Sequence, residues 1–274
     1  MLGERLKRRI KRRTLEFVAR RGYDIEKQPA GFPPYRFLKR IPLGQDALAD
    51  VKRIRGGEIR CVFDVGAHVG QSAALFCDVF PRGTVYSFEP DPASYRALQD
   101  FAARCSRVVP VNAAVGDRDG DAVFFRNKFD QTNSLLKARE GVGQFLAASD
   151  GLDPREETKV RVITLDSFCA EHAIEGIDFL KLDTQGYELR VLDGARGLLD
   201  RQAVPLIHVE VGFVPLYEHQ PMFPEVYQYL YDRDYRLVWL YDSSFHTHLY
   251  TIGANALFVH RRLGGDIRPR VHPG

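Results

Sequence analysis

Two acids and two glycines follow short apolar segments in the first third of the chain, where their spacing suggests a ligand site. Asp64, Gly66 and Gly70 come directly after the apolar residues 61–63, and Glu89 ends the next apolar segment, 23 residues after Gly66. Glycines let the backbone approach a ligand closely, and an acid about 20 residues later can accept hydrogen bonds from both hydroxyls of a ribose. The pattern predicts a site for a nucleotide-like ligand.

The residue spacing inside the turn indicates whether the ligand contains phosphate. A dinucleotide site uses GxGxxG and directs a helix N-terminus at the pyrophosphate, whereas this turn reads DxGxxxG. A carboxylate at Asp64 would repel phosphate but suits a cationic group, such as an amino-acid ammonium that it binds directly or through water. Adenosine joined to an amino acid without phosphate is S-adenosylmethionine, so the charges favour a methyltransferase. The competing interpretation is that Asp64 only fixes the turn through hydrogen bonds.

Other residues of this region are assigned to the same cofactor. We expect Gly66 and Gly70 near its methionine end, Glu89 on its ribose, and Asn112 and Ala113 near its adenine. The alternative for Asn112 and Ala113 is a plain strand exit. His68, in the middle of the turn, is expected either to cap the following helix or to reach the carboxylate of the cofactor.

Three later residues are candidates for catalysis. Asp183 follows an apolar segment and could take the proton from a hydroxyl nucleophile, although a helix cap or a hydrogen bond to the substrate explains it equally well. His208 and Glu210 are two residues apart in a strand pattern and therefore share a face. A histidine with its ordinary pKa near 6.5 could act as the base, but a lone strand histidine can also be purely structural. No residue pattern indicates a metal site.

Apolar periodicity predicts the elements that position these residues. Strands and helices alternate, which indicates a doubly wound, mostly parallel sheet with helices on both faces. The last two strands have no helix between them, so one is expected to run antiparallel at an edge. Strands are predicted at 60–65, 83–88, 108–112, 122–127, 159–164, 177–182, 206–211, 235–240 and 255–260, and helices at 44–56, 71–79, 92–105, 165–172, 188–199 and 225–232.

The N-terminal segment differs in charge from the rest of the chain. Residues 1–21 contain nine Lys or Arg and two Glu, so the remaining residues carry a net charge of −4 although the whole chain is at +3. This mildly acidic body argues against a nucleic-acid-binding protein. Residues 2–20 fit a basic amphipathic helix that either lies on an anionic membrane surface or packs on the protein itself.

The chain as a whole resembles the FkbM family of S-adenosylmethionine-dependent methyltransferases. Six segments carry the resemblance in order and spacing: DVGAHVGQ (64–71), SFEPDPASY (87–95), NAAVGD (112–117), TLDSF (164–168), DFLKLDTQGYELRVLDGA (178–195) and HVEVGFVPLYEHQPMF (208–223). The resemblance implies a class I methyltransferase (Rossmann-like) fold with a seven-stranded sheet. It also implies methyl transfer to a hydroxyl of a glycan or other natural product. The chain departs from the family pattern at His68, Gln185 and Asn255, where the family usually has asparagine, an acid and aspartate.

Composition and charge set the expected organisation and location. We expect a basic helix and linker at 1–36, the methyltransferase domain at 37–263 and a flexible tail at 264–274. The four cysteines lack close pair spacing and suggest free thiols in a reducing cytoplasm. No secretory signal or membrane-spanning run is evident, so the expected location is cytoplasmic, with peripheral membrane contact through residues 1–21 as an option.

Two other functions remain open from sequence. An NAD(P)-type Rossmann oxidoreductase would share the strand-turn-helix pattern, although GxGxxG is missing. A noncatalytic domain that binds the cofactor and is tethered by its basic arm would be consistent with the departures at His68, Gln185 and Asn255.

Overall fold

The computed structural model of the chain describes residues 23–27, 35–39, 42–55, 58–142, 152–246 and 249–264. The helix expected at 2–20, most of the linker at 29–36 and nearly all of the tail at 264–274 lie outside these residues, so the proposed domain boundaries stay predictions. Tyr35 and Arg36, assigned to the linker, instead begin a strand. That strand pairs antiparallel with residues 23–27, forming a small sheet that the sequence pattern did not predict.

The order of the described strands and helices confirms the predicted alternation. The strands are β1 (Tyr23–Lys27), β2 (Tyr35–Lys39), β3 (Cys61–Val65), β4 (Thr84–Phe88), β5 (Val108–Val111), β6 (Ala114–Val115), β7 (Gly120–Asn127), β8 (Pro154–Ile163), β9 (Phe179–Leu182), β10 (Leu206–Gly212), β11 (Tyr235–His246) and β12 (Tyr250–His260). The helices are α1 (Ala47–Arg55), α2 (Gln71–Val79), α3 (Pro92–Ala102), α4 (Leu165–Glu171), α5 (Glu188–Asp193), α6 (Arg196–Asp200) and α7 (Phe223–Tyr231). The single helix expected at 188–199 is two helices, because α5 ends at Asp193, with Gly194 as its C-cap, and α6 begins at Arg196.

A seven-stranded sheet in the order β11–β12–β10–β9–β3–β4–β5 forms the centre of the molecule. The strands β10, β9, β3, β4 and β5 are mutually parallel. The chain moves outward from β3 through β4 to β5, and then returns on the other side of β3 through β9 and β10. The strand order therefore reverses between β3 and β9, and the crevice outside the carboxyl ends of these strands is the usual ligand site of such a sheet.

The expected antiparallel strand is present, but it does not lie at the edge. It is β12, which pairs antiparallel with β10 on one side and β11 on the other. Burial is consistent with this inner position, since Ala256, Leu257 and Phe258 on β12 are fully buried. Trp239 on the edge strand β11 is half exposed.

The strands predicted at 122–127 and 159–164 belong to a second sheet of three strands. In this sheet β8 pairs with β6 on one side and with β7 on the other. The connection after β7 contains a short 3₁₀ turn at Asp130–Thr132. Its position beside the carboxyl edge of the main sheet brings polar side chains to the crevice.

Apolar side chains cover both faces of the main sheet. Phe63 and Leu180 point into one buried cluster, while their neighbours Val62 and Phe179 point into the other. Strands buried on both faces read as continuous apolar runs, as observed here. No helix in the described parts of the chain is long and apolar enough to cross a membrane.

A row of ionisable side chains crosses the three central strands in register. Lys181 on β9 lies opposite Asp64 on β3 and opposite His208 on β10. The Lys181 Nζ atom is 3.2 Å from Asp64 Oδ1, 3.4 Å from Asp183 Oδ2 and 2.9 Å from the carbonyl oxygen of Gly66, to which it donates. Burial lowers the pKa of this ammonium, but the two carboxylates outweigh burial and the pKa is raised overall.

Replacing Lys181 with methionine should destabilise the fold strongly. The change leaves Asp64, which is fully buried, without its counter-charge, and breaking one side of a buried ion pair typically costs about 3–5 kcal/mol. Urea unfolding at pH 7 measures this loss. Lys159→Met removes a lysine that is 75% exposed and paired with Asp121, so it should cost less than about 1 kcal/mol.

Adding Asp64→Asn to Lys181→Met should recover part of the stability, because the unpaired charge is removed. Equal losses for Lys181→Met and Lys159→Met would contradict the structural importance of the buried ammonium.

Candidate active site

A cavity of about 420 Å³ opens at the point where the strand order reverses. This volume lies within the range of small-molecule sites, roughly 300–1,000 Å³. The exits of β3, β4 and β9 form its walls together with the turn after β7. The cavity is lined by residues 65–68, 71–72, 88–90, 113–115, 124, 130–133, 135, 181, 183–185 and 187.

The glycine turn brings the exits of β3 and β9 into contact. Gly66 lines the cavity and has φ +78°, a conformation that side chains other than glycine rarely adopt. A Cβ atom at this position would lie 1.8 Å from the carbonyl oxygen of Asp183. Glycine is therefore required here by backbone packing as well as by φ.

Gly70 does not line the cavity, contrary to its expected place beside the ligand. It is the residue before α2 and has φ +93°. A Cβ atom there would lie 3.1 Å from side-chain atoms of both Leu98 and Phe101. The second glycine allows α2 and α3 to pack closely.

His68 lines the cavity at the centre of the turn with φ +50°. Histidine is among the residues enriched in this left-handed region, which explains how it is tolerated there. Its backbone N–H donates to Glu89 Oε2 over 2.8 Å. Its side-chain Nε2 is 3.2 Å from Asp130 Oδ2, in the turn after β7. The imidazole thus connects the two sides of the cavity and does not cap α2.

Glu89 is buried at the exit of β4 and faces the cavity. Oε2 accepts from the backbone of His68, and Oε1 accepts from the backbone N–H of Asp91 over 2.8 Å. A carboxylate oxygen has two lone pairs, so each oxygen can accept one more hydrogen bond. Burial raises the pKa of Glu89 to about 7, although the two N–H groups favour the charged form.

The two residues at the exit of β5 have different positions. Ala113 lines the cavity, whereas Asn112 does not. The Asn112 side chain donates to the carbonyl oxygen of Glu89 over 2.9 Å. Asn112 therefore supports the backbone that carries Glu89.

Asp64 lies behind the cavity wall. It is fully buried, is absent from the lining, and faces Lys181. Among the described residues, the Lys181 ammonium, 3.2 Å from Oδ1, is the polar partner that its carboxylate meets. Burial raises its pKa despite the nearby ammonium. This placement does not bring Asp64 into direct contact with a ligand, and Asp64 instead pairs with Lys181 under the turn.

Asp183 lines the cavity and belongs to a hydrogen-bonded cluster. Its side chain is 39% exposed, against 9% for Lys181, so Asp183 is the member that a ligand can reach. Gln185 Nε2 donates to Asp183 Oδ1 over 2.9 Å and to Glu210 Oε2 over 2.8 Å. Burial raises the pKa of Asp183, but Lys181 and hydrogen bonds from Gln185 and Glu210 outweigh it and lower the pKa overall.

Glu210 reaches Asp183 but does not line the cavity. Burial, together with the nearby carboxylates of Asp183 and Glu188, raises its pKa well above the ordinary value. The two neighbouring carboxyls thus have opposite pKa shifts, so a proton that they share is held more readily by Glu210 than by Asp183.

His208 lies away from the cavity, between the rings of Phe179 and Tyr241 at centroid distances of 6.2 and 6.3 Å. Burial and the Lys181 ammonium lower its pKa to about 4. Its Nε2 is buried without a hydrogen-bond partner in the described part of the chain. A structural role accounts for this placement better than that of a base.

The position of Lys181 inside an apolar strand predicts a carboxylate partner, because an unpaired buried ammonium is costly, and Glu188 is the candidate that the sequence suggests. Lys181 pairs with Asp64 and Asp183, whereas Glu188, suggested as its partner, accepts three hydrogen bonds from the turn at 184–186. Gln185 was regarded only as a departure from a family pattern.

The charges of the lining restrict the ligand. Three carboxylates line the cavity, at Glu89, Asp130 and Asp183, and Lys181 is already matched by acids. These carboxylates accept hydrogen bonds and carry negative charge, so they disfavour a pyrophosphate and suit hydroxyls and a cationic group. Across the described residues, no group of three or more His, Cys, Asp or Glu side chains could hold a metal ion.

Comparison with known proteins gives a consistent result. The family described as Methyltransferase FkbM domain matches residues 64–237. The chain is 25% identical over 167 residues to the 2-O-methyltransferase NoeI of Sinorhizobium fredii, a match that covers 58% of this chain and 66% of that protein. It is 31% identical over 159 residues to the 31-O-demethyl-FK506 methyltransferase FkbM of Streptomyces tacrolimicus, covering 52% and 60%.

A third relative is the hexuronic acid methyltransferase AglP of Haloferax volcanii, 21% identical over 155 residues that cover 56% of this chain and 57% of that protein. The chain thus spans between 57% and 66% of the length of these relatives. The family match covers more than half of the chain and includes the turn, Glu89, Asp183 and Glu210. This protein belongs to the family of FkbM methyltransferase domains.

Proposed function

We propose that the protein transfers a methyl group from S-adenosylmethionine to a hydroxyl oxygen of a glycan or other natural product. The observation that carries the proposal is that one cavity exposes Glu89 on one wall and Asp183 on another. The first is suited to hold a nucleoside, and the second to accept a proton.

The residues present fit the cofactor. Glu89 has a free lone pair on each oxygen for two ribose hydroxyls. Phe88, Ala113 and Phe124 supply apolar wall for a flat base, and Gly66 leaves room beside the backbone. The carboxylates of the lining match the positive charges of a sulfonium and an ammonium.

Asp183 is the residue best placed to assist the acceptor. When bound, S-adenosylmethionine supplies a methyl group on a positively charged sulfur. Asp183 is kept ionised by Lys181 and faces the cavity, so it can take the proton that a hydroxyl loses as its oxygen is methylated. The cavity walls hold the reactants in position, which can supply much of the rate enhancement.

The acceptor class rests on the relatives and on the turn after β7. The name of one relative refers to a hexuronic acid and that of another to 31-O-demethyl-FK506. In this chain Gln131, Thr132 and Asn133 line the cavity, and their polar groups suit an acceptor with several hydroxyls. No observation favours the oxidoreductase: among the described residues that line the cavity, the cation is Lys181, which is already paired with Asp64 and Asp183.

Two measurements test the proposal. Calorimetric titration with S-adenosylmethionine should show binding, and NAD should not bind. Mass spectrometry should then show a gain of one methyl group on at least one member of an acceptor panel. The panel contains 31-O-demethyl-FK506 and the methyl glycosides of neutral hexoses and hexuronic acids. Tight cofactor binding without turnover would favour the noncatalytic alternative.

Glu89→Gln should weaken S-adenosylmethionine binding about tenfold or more. In the wild type, affinity should rise as the pH rises through about 7, because Glu89 must lose its proton to accept both ribose hydroxyls. The variant should lose this pH dependence. Titrations between pH 5.5 and 8.5 measure both effects, with the exposed Glu171→Gln as the matched control. If the affinity of both variants for S-adenosylmethionine depended equally on pH, the proposed contact between Glu89 and the ribose would be contradicted.

Asp183→Asn should lower kcat about 10²–10⁴-fold, the usual contribution of a positioned acid or base. The Kd for S-adenosylmethionine should change less than about threefold, since the amide keeps the shape of the side chain. Asp100→Asn, on the exposed face of α3, is the control. A normal kcat for Asp183→Asn would exclude Asp183 as the proton acceptor.

We also propose that residues 1–21 contact anionic membrane surfaces. Their excess of seven positive charges should give vesicle binding that weakens with salt, at about 1 kcal/mol per basic residue near the surface. Cosedimentation with phosphatidylserine vesicles should be lost when these residues are deleted, while neutral vesicles should not bind either form. Binding that persists after the deletion would reject this role.

A further inference from the structure

Gln185 occupies the centre of the hydrogen-bonded cluster, although no catalytic assignment includes it. Its Nε2 donates to Asp183 Oδ1 over 2.9 Å and to Glu210 Oε2 over 2.8 Å. Its Oε1 accepts from the Tyr217 hydroxyl over 2.9 Å. Both amide hydrogens and the amide oxygen are therefore used.

The position of Gln185 is held from several sides. Its backbone has φ +54° and is followed by Gly186 at +95°. Its carbonyl oxygen accepts from Ser134 Oγ over 2.7 Å. Tyr217 is 2% exposed, and its hydroxyl oxygen also lies 2.9 Å from the carbonyl oxygen of Thr132. Thr132 and Ser134 belong to the turn after β7, so the amide is tied to the same turn that lines the cavity.

We propose that Gln185 is a positioning residue that holds Asp183 and Glu210 as a carboxyl pair with a single proton, and that links this pair through Tyr217 to the turn at 130–135. The inference rests on the proposed function, because Asp183 is the proton acceptor in that reaction.

An amide suits this position for electrostatic reasons. Two carboxylates that share a site cannot both stay ionised, so one keeps its proton. A carboxylate at position 185 would add a third acid between them, whereas an amide donates to both without adding charge. The charged or titratable groups that interact with the pair come from several elements: Asp64 on β3, Lys181 on β9, Glu188 on α5, His208 on β10 and Tyr217 in the connection after β10.

The proposal defines where each proton resides during the reaction. The acceptor oxygen forms its bond to the methyl carbon while the bond from that carbon to sulfur breaks, and the hydroxyl proton passes to Asp183. Glu210 keeps the proton that it already carries. Gln185 fixes the orientation of Asp183, and a displacement of about 1 Å at such a group can cost about 10²-fold in rate.

Gln185→Glu tests the charge argument and Gln185→Leu tests the positioning argument. With the panel acceptor that is turned over, Gln185→Glu should move the acidic limb of the kcat profile up by about one pH unit or more, because the extra carboxyl holds a further proton. Gln185→Leu should lower kcat about 10–100-fold, with Kd for S-adenosylhomocysteine within about threefold. Tyr217→Phe should give a smaller loss with an unchanged pH profile.

A second readout does not need the acceptor. A group whose pKa is raised in the folded state stabilises the protein at low pH and loses this contribution as the pH rises through the folded pKa. Gln185→Glu adds such a group. Between pH 5 and 8 the folding equilibrium constant of this variant should therefore fall with rising pH. The fall should be steeper than that of Gln99→Glu, by up to about tenfold per pH unit. Gln99 is exposed on α3, so this control adds the same charge far from the pair.

The outcomes separate the inference from the proposed function. Equal pH slopes of unfolding for Gln185→Glu and Gln99→Glu would overturn the shared carboxyl pair, whether or not methyl transfer is observed. Loss of kcat in both Gln185 variants with an unchanged pH profile would reduce Gln185 to a structural residue and overturn the inference. Absence of S-adenosylmethionine binding would reject the proposed function alone, because the unfolding measurement would still decide the geometry of the pair.

Discussion

The Lys181 ammonium connects the carboxyl ends of the two central strands, and the geometry of the site depends on it. It contacts Asp64 under the glycine turn, the backbone oxygen of Gly66 within that turn, and Asp183 at the cavity wall. An isolated buried charge would be very costly, and the same is true of the fully buried Asp64 without the lysine. The three groups therefore stabilise one arrangement, in which the β3 turn and the β9 exit touch and Asp183 stays ionised.

Each of the two turns that meet at this contact contains a residue other than glycine in the left-handed backbone region. His68 and Gln185 both have φ near +50° without being glycine. Histidine is among the residues that tolerate this region, but glutamine has no such preference, and strain of this kind persists only where neighbouring interactions enforce it. The amide of Gln185 makes three side-chain hydrogen bonds and its backbone oxygen makes one. Local interactions therefore hold the residues that stand at these two positions.

Most elements of the main sheet could be predicted because they depend on local patterns. Apolar runs between helical periods located β3, β4, β5, β9 and β10 to within about two residues, and the lack of a helix before the last strand indicated an antiparallel pair. Besides the small β1–β2 sheet, three features could not be predicted in this way. The insertion of β12 between β10 and β11 and the separation of β6, β7 and β8 into their own sheet are set by long-range pairing. The break at Gly194 depends on how the α5–α6 segment packs.

The sequence by itself favoured a ligand without phosphate and indicated the residues at the strand exits, because charge and glycine spacing can be read without knowing the fold. It pointed to Gly66, Glu89 and Asp183, which all line the cavity. Only the tertiary structure decided the roles of the others. Asp64 is covered by Lys181, Gly70 packs on α3, Asn112 supports a backbone carbonyl, and His208 is buried among aromatic rings. These outcomes depend on which side chains meet across strands that are far apart in the chain, and on the desolvation that sets which of two neighbouring acids keeps its proton.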